Sequence, residues 1–138
     1  MADQAVHNRN LQGAARDFFD AFNAVFSTFS GPKISERYVA PYLAIRSDGS
    51  SQVFDSAEAI GTYFQRIVDG YYARGCRICK YKDLTVTPMG EAAALGTVTW
   101  ELCRADGTVV TSWRESYNLV LVDGRMKAAA SVDHVAQR

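Results

Sequence analysis

The last third of the chain leaves it little choice of fold. Trp113 to Val122 is a run of β-branched, aromatic and alternating polar residues, Asp123-Gly124 follows, and a second strand-like run extends from Arg125 to Val135. An aspartate-glycine pair between two such runs reads as a β-hairpin, because both residues tolerate the positive φ of a tight hairpin turn. With a side-chain period of two, Trp113, Glu115 and Tyr117 share one face of the first strand. A carboxylate between two large aromatics on an otherwise apolar face is either part of a ligand pocket or a poorly satisfied core.

Further strands lead into this hairpin. Arg77 to Thr87 alternates, with Ile78, Lys80, Lys82, Leu84 and Val86 on one side and Cys79, Tyr81, Asp83 and Thr85 on the other. Pro88-Met89-Gly90 turns the chain, Ala92 to Cys103 is the next strand, and Asp106-Gly107 leads into Thr108 to Val122. A two-residue Asp106-Gly107 turn sets Trp100 opposite Trp113, Val98 opposite Glu115 and Gly96 opposite Tyr117. A three-residue loop shifts that register by one and moves Trp100 to the other face from Trp113.

The first half is mainly helical. From residue 8 to 29, Leu11, Ala15, Phe18, Phe22, Phe26 and Phe29 recur three or four apart and form one apolar stripe. Ser30-Gly31-Pro32 ends this helix, since glycine suits the left-handed terminal position and proline cannot continue the ladder. A short helical or turn segment over Lys33 to Val39 is broken at Ala40-Pro41. Tyr42 to Arg46 then reads as a strand, with Ser47 to Ser50 as its turn and Gln52 to Phe54 as its partner. Asp55-Ser56-Ala57-Glu58 opens a helix from 56 to about 72, with Asp55 as the cap and Glu58 reaching back. Ile60, Phe64, Ile67 and Tyr71 lie on one face of it, with Tyr63 beside them. Helices early and strands late make an α+β layout: a curled, mainly antiparallel sheet whose concave side the helices cover.

A chain of 138 residues, 48% hydrophobic, can bury one substantial core, so the whole of residues 1–138 reads as a single domain. Fifteen basic residues balance fifteen acidic ones, which disfavours nucleic-acid binding. The sequence contains no apolar run of the roughly 20 residues that a membrane span needs, and its Met-Ala-Asp-Gln start has no signal-like apolar region. The expectation is a cytoplasmic protein without membrane contact. Cys76 and Cys79 form a C-x-x-C pair on a strand, away from the helix N-terminus that lowers thiol pKa in redox pairs, and Cys103 is isolated. Buried structural thiols are expected, with no metal and no cofactor.

The segments Phe18 to Phe26, Tyr38-Val39-Ala40-Pro41-Tyr42, Asp48-Gly49, Phe54-Asp55-Ser56-Ala57-Glu58 and Tyr117 to Lys127 together resemble the nuclear transport factor 2-like superfamily. The resemblance runs from about residue 10 to 135 and is to the SnoaL-like, polyketide-cyclase-type branch. It implies a cystatin-like α+β roll, a cone of curled sheet closed by N-terminal helices, with twofold dimers formed through the outer sheet face. Within that superfamily the fold serves isomerases, dehydratases, cyclases and non-enzymatic modules, so fold alone does not carry function. The chain also departs from its patterns. Tyr42 stands where isomerase-like members carry an aspartate base after Ala-Pro, Met126 replaces the usual tryptophan, and the ending is Ala130-Ser131-Val132-Asp133-His134.

The resemblance implies that Tyr117 points into a pocket, and strand parity adds Trp113 and Glu115. Glu115 is then the obvious acid or base, with Phe18, Tyr42, Tyr63, Trp100, Trp113 and Tyr117 as ligand-binding walls. The alternative is a structural ion pair of Glu115 with Arg46, Arg66 or Arg77. His134 is a second candidate acid or base at the mouth of the cone; the alternative is an exposed terminal histidine. It forms no dyad with Asp133, because neighbours on a strand face opposite ways. The expected ligand is a hydrophobic, cyclic small molecule, isomerised, dehydrated or cyclised without a cofactor; the alternative is an accessory or dimerisation module with a vestigial pocket. Thr97, Thr99, Glu101, Ser112, Arg114, Ser116 and Asn118 form the polar outer face, where Arg114 and Glu101 are placed to pair between subunits of a homodimer.

Overall fold

The computed structural model describes the backbone of residues 2–135 and the side chains of residues 10–135. The chain runs α1 (Ala2–Phe26), α2 (Gly31–Ser35), β1 (Tyr38–Ile45), β2 (Ser51–Phe54), α3 (Ala57–Ala73), β3 (Ile78–Pro88), β4 (Ala93–Cys103), β5 (Val109–Val122) and β6 (Arg125–Asp133). The strands form one six-stranded sheet in the order β2-β1-β6-β5-β4-β3. All neighbours are antiparallel except β1 and β6, which run parallel. The fold is the expected α+β class, with the N-terminal helices on one face of a mixed sheet.

α1 is held by the aromatic stripe read from the sequence. Leu11, Ala15, Phe18, Phe22 and Phe26 are buried, and so is Phe19, which the stripe did not include. Phe19 packs where β4 offers no side chain: a Cβ on Gly96 would sit 2.8 Å from the Phe19 ring. The helix ends at Phe26, three residues before the expected limit, and Phe29, at φ 54, turns the chain in the left-handed region. Ser30-Gly31-Pro32 therefore begins a helix instead of ending one. Ser30 caps α2, its Oγ accepting from the Lys33 amide, with proline in the first turn, where no intrahelical donor is lost. Gly31 is needed for contact, since a Cβ there would lie 2.1 Å from the Gly61 carbonyl oxygen of α3. Gln65 secures the crossing, accepting from the Gly31 amide at 2.7 Å and donating to the Phe29 carbonyl at 3.1 Å.

The cap of α3 is Ser56, not Asp55: its Oγ accepts from the Ala59 amide at 3.1 Å. β1 starts earlier than expected and continues through a cis Ala40-Pro41 peptide, with a register shift against β6 between Tyr38 and Leu43.

Three bulges decide which side chains face inward. On β3 the strict alternation fails at Asp83, which has φ 55, and the register against β4 slips between Lys82 and Thr85. Leu84 and Val86 consequently pack on the same core as Cys79 and Tyr81. Between β4 and β5 the loop is three residues long, closed by hydrogen bonds between Arg104 and Thr108 and from Gly107 to Arg104. The expected two-residue turn is thus incorrect, yet the expected register holds: Trp100 opposes Trp113, Val98 opposes Glu115 and Gly96 opposes Tyr117. The shift between Leu102 and Cys103 leaves Val110 unpaired and cancels the extra loop residue. On β6 a shift between Asn118 and Leu119 of the partner strand leaves Ala129 unpaired and reverses the facing of everything beyond it. Such bulges sharpen the local twist and bend the sheet around the helices.

Candidate functional site

Between the inner sheet face, α1 and α3 lies a cavity of about 130 Å³. Its apolar walls are aromatic rings, contributed by α1 (Phe22, Phe26), β1 (Tyr38, Tyr42) and α3 (Phe64, Tyr71) as well as the central strands. Rings dominate because they fill large spans of a curved interior from widely spaced backbone positions. Arg46 and Tyr63 line both the cavity and the surface groove outside it, which places the mouth between α3 and the β1–β2 hairpin.

Glu115 projects into this cavity from the middle of β5. Its Oε1 accepts a 2.8 Å hydrogen bond from Trp113 Nε1, and the hydroxyls of Tyr117 and Ser131, close to the carboxyl, also favour its charged form. Tyr117 is held in turn by a 2.8 Å bond from Trp100 Nε1, and Ser131 shares a 2.5 Å hydrogen bond with the Tyr42 hydroxyl. Across the ladder, Glu115 pairs directly with Asp133 of β6, and the two carboxyls are within hydrogen-bonding reach. Burial raises the Glu115 pKa to about 8, the Asp133 charge adds to this, and the hydrogen bonds from Trp113, Tyr117 and Ser131 oppose it. Asp133 is also raised by burial, with the bond from Glu115 and the charges of Arg46 and His134 pulling the other way. Burial and the Asp133 charge favour the protonated form of Glu115, while the rim arginine Arg46 favours charge on Asp133, so the two carboxyls titrate as a pair.

Of the residues singled out from sequence, Tyr42, Tyr63, Trp100, Trp113, Glu115 and Tyr117 line the cavity. Phe18 does not; it is buried beside it, its ring against Phe19, Phe22 and Tyr117. His134 also lies elsewhere. Its exposed imidazole bonds Ser116 Oγ at 2.7 Å on the outer side of the sheet, because Asp133 takes the inward position. Asp133 was missed as a partner for Glu115, since simple alternation from the Asp123-Gly124 turn would face Val132 to Glu115.

None of the arginines considered pairs with Glu115. Arg46 is exposed and donates to Gln52 at 3.0 Å. Arg77 donates to the Tyr72 and Cys76 carbonyls and stacks over Tyr72 at 3.5 Å. Arg66 is exposed on α3. Among the described residues the ion pair present is Lys82 with Glu101, at 3.5 Å, on the outer face. Arg114, expected to reach a second subunit, donates within the chain to Thr99 and the Asp83 carbonyl. The three cysteines are reduced and buried, and burial pushes the Cys76 and Cys79 thiols up, away from nucleophilic thiolate chemistry. Among the described residues, no three His, Cys, Asp or Glu side chains converge as a metal would require. No helix among them is long and apolar enough to cross a membrane.

The family described as NTF2-like protein (DUF6841) matches residues 12–136, and the chain belongs to it. No curated protein matches the chain. Among solved structures it is similar to an NTF2-like protein with a cystatin-like fold from Novosphingobium aromaticivorans, at 15% identity and TM-score 0.73, covering 96% of this chain and 88% of that one. It is also similar to Aln2 from a Streptomyces species, at 17% identity and TM-score 0.71, covering 89% of each chain. Yeast UBP3-associated protein BRE5 aligns at 15% identity and TM-score 0.68, over 89% of this chain and 94% of that one. At such identities the likeness establishes the NTF2-like, cystatin-like fold.

Proposed function

We propose that this member of the NTF2-like family binds a small, ring-sized molecule in its cavity and acts on it by general acid–base chemistry through Glu115 and Asp133. The observation that carries the reading is the carboxyl pair itself, set in an aromatic wall beside open space, with no ion-pair partner among the described residues. Burying two acids together costs stability, and a core gains more from apolar side chains of similar volume. A site that retains such a pair beside a cavity is suited to proton transfer.

The geometry supports a division of roles. Glu115 is the proton donor at neutral pH, and Asp133 holds the carboxylate end of the shared proton and takes it back. Tyr117 and the Ser131–Tyr42 pair present hydroxyls to the Glu115 carboxyl, which hold its orientation. A space of about 130 Å³ compares with the roughly 150 Å³ known to hold a benzene ring. The SnoaL-like, polyketide-cyclase-type character belongs to the same proposal, supported by the position of the acid inside the cone.

A thermal-shift screen of single-ring compounds tests the reading, run on the wild type and on Ala44→Leu, which fills part of the cavity beneath β1. Compounds that stabilise the wild type and not Ala44→Leu occupy the cavity. They are then incubated with wild type and Glu115→Gln and followed by mass spectrometry. Conversion by the wild type that is lost in Glu115→Gln, with binding retained, supports the acid role. Binding without conversion leaves an accessory ligand-binding module, and no cavity-dependent binder overturns the reading.

A further inference from the structure

The charge and the walls of the cavity together restrict what it takes. The acids lie on one wall, on adjacent strands β5 and β6, and no lysine or arginine among the described residues forms an ion pair with either. Much of the remaining lining is aromatic: Trp113 stacks on Tyr71 at 5.7 Å, Tyr38 stacks on Phe64 at 4.8 Å, and Tyr42 meets Tyr38 edge-on at 4.6 Å. Aromatic faces carry negative electrostatic potential and attract cations, more strongly where water is excluded. The carboxyl pair and an aromatic-rich lining therefore favour the same sign of ligand. Arg46, the basic side chain of the lining, sits exposed at the mouth and donates to Gln52 of β2; its charge reaches Asp133 from the rim without forming an ion pair with it.

Resting on the reading of the cavity as a ligand site, we propose that its ligand is a small organic cation, an amine carried on or beside a single ring, with its nitrogen at the Glu115–Asp133 pair. An ammonium there donates to both carboxyls: the amine arrives protonated, the pair keeps the single proton it shares and the one negative charge that goes with it, and the ring lies among the aromatic walls. A neutral isostere of the same shape fills the volume and leaves the negative charge of the pair unpartnered. An anionic one meets an acid pair of its own sign, with the one basic side chain of the described lining, Arg46, at the mouth and not at the pair.

Three ligands of one shape and different charge test this: benzylamine, benzyl alcohol and benzoate, each titrated by calorimetry into the wild type, Glu115→Gln and Asp133→Asn, with melting temperatures confirming that the variants fold. Benzylamine is expected to bind the wild type at least tenfold more tightly than benzyl alcohol, and benzoate the most weakly. Asp133→Asn should lose tenfold or more for benzylamine, Glu115→Gln should lose less, and both should change by less than threefold for benzyl alcohol. If either variant fails to fold, the order of the three ligands on the wild type decides alone. Benzyl alcohol or benzoate binding as tightly as benzylamine overturns the cationic ligand and leaves the cavity reading standing. Absence of binding by all three, together with no cavity-dependent compound in the screen, removes the cavity reading itself.

Discussion

Phe22 shows how much one side chain does in this interior. It is 2% exposed, and its ring meets Phe18, Phe26, Tyr38, Trp100 and Tyr117, so it joins the helix stripe to the sheet and to the cavity wall. Phe22→Ala is expected to destabilise the protein by about 3 to 5 kcal/mol, the range for deleting a buried aromatic ring; urea denaturation showing a loss under about 1 kcal/mol would place this ring outside the cooperative core. Trp113 has a different role. Its indole N–H is a hydrogen-bond donor that steadies charge on Glu115. Trp113→Phe keeps most of the ring, removes the donor, and should raise the Glu115 pKa further. Carboxyl titration followed by infrared absorption checks the direction, and a downward shift would exclude this role for Trp113.

At the scale of elements, the α2–α3 crossing separates two glycines that look alike in the sequence. A Cβ on Gly31 would lie 2.1 Å from the Gly61 carbonyl oxygen and 2.6 Å from the Gln65 amide nitrogen, both backbone atoms unable to move without parting the helices. A Cβ on Gly61 would find its nearest neighbour at 3.5 Å, an ordinary contact. Gly31→Ala should therefore cost about 2 to 4 kcal/mol through forced separation. Gly61→Ala should be neutral or stabilising by up to about 1 kcal/mol, because alanine is the better helix former. Equal melting temperatures for the two variants would contradict the packing described for this crossing.

For the molecule as a whole, the acid pair links stability to pH in an unusual direction. Glu115 ionises near 4.5 in an unfolded chain and keeps its proton to about 8 in the folded one. Below pH 4.5 both states are protonated and the group has no effect; between the two values the unfolded chain has released a proton that the folded chain still holds. Stability accordingly falls as pH rises through that window, and the loss is complete above about pH 8. Asp133, raised as well, acts in the same direction. Unfolding free energy should drop between pH 5 and 8 by about 2 to 4 kcal/mol more in the wild type than in Glu115→Gln. Parallel denaturation profiles for the two proteins would show that Glu115 titrates normally and is not held in a dry, acid-paired site.

What the sequence determined by itself is what local chemistry controls. The recurrence of Phe18, Phe22 and Phe26 sets the buried side of α1, and the two-residue period of β5 puts Trp113, Glu115 and Tyr117 on one face. Turn residues and the helices-before-strands order lead to the α+β class. The partner of Glu115 was decided by the tertiary structure. Asp133 reaches the cavity, and His134 is turned away from it, because Ala129 is left unpaired on β6; Val110 likewise restores a register that the three-residue loop had shifted. Neither alanine nor valine marks a bulge, whereas Asp83 at least belongs to a residue type that tolerates the left-handed conformation it adopts. An unmarked bulge forms where curvature and the pairing of neighbouring strands require it, and those are properties of the assembled sheet, not of any one strand.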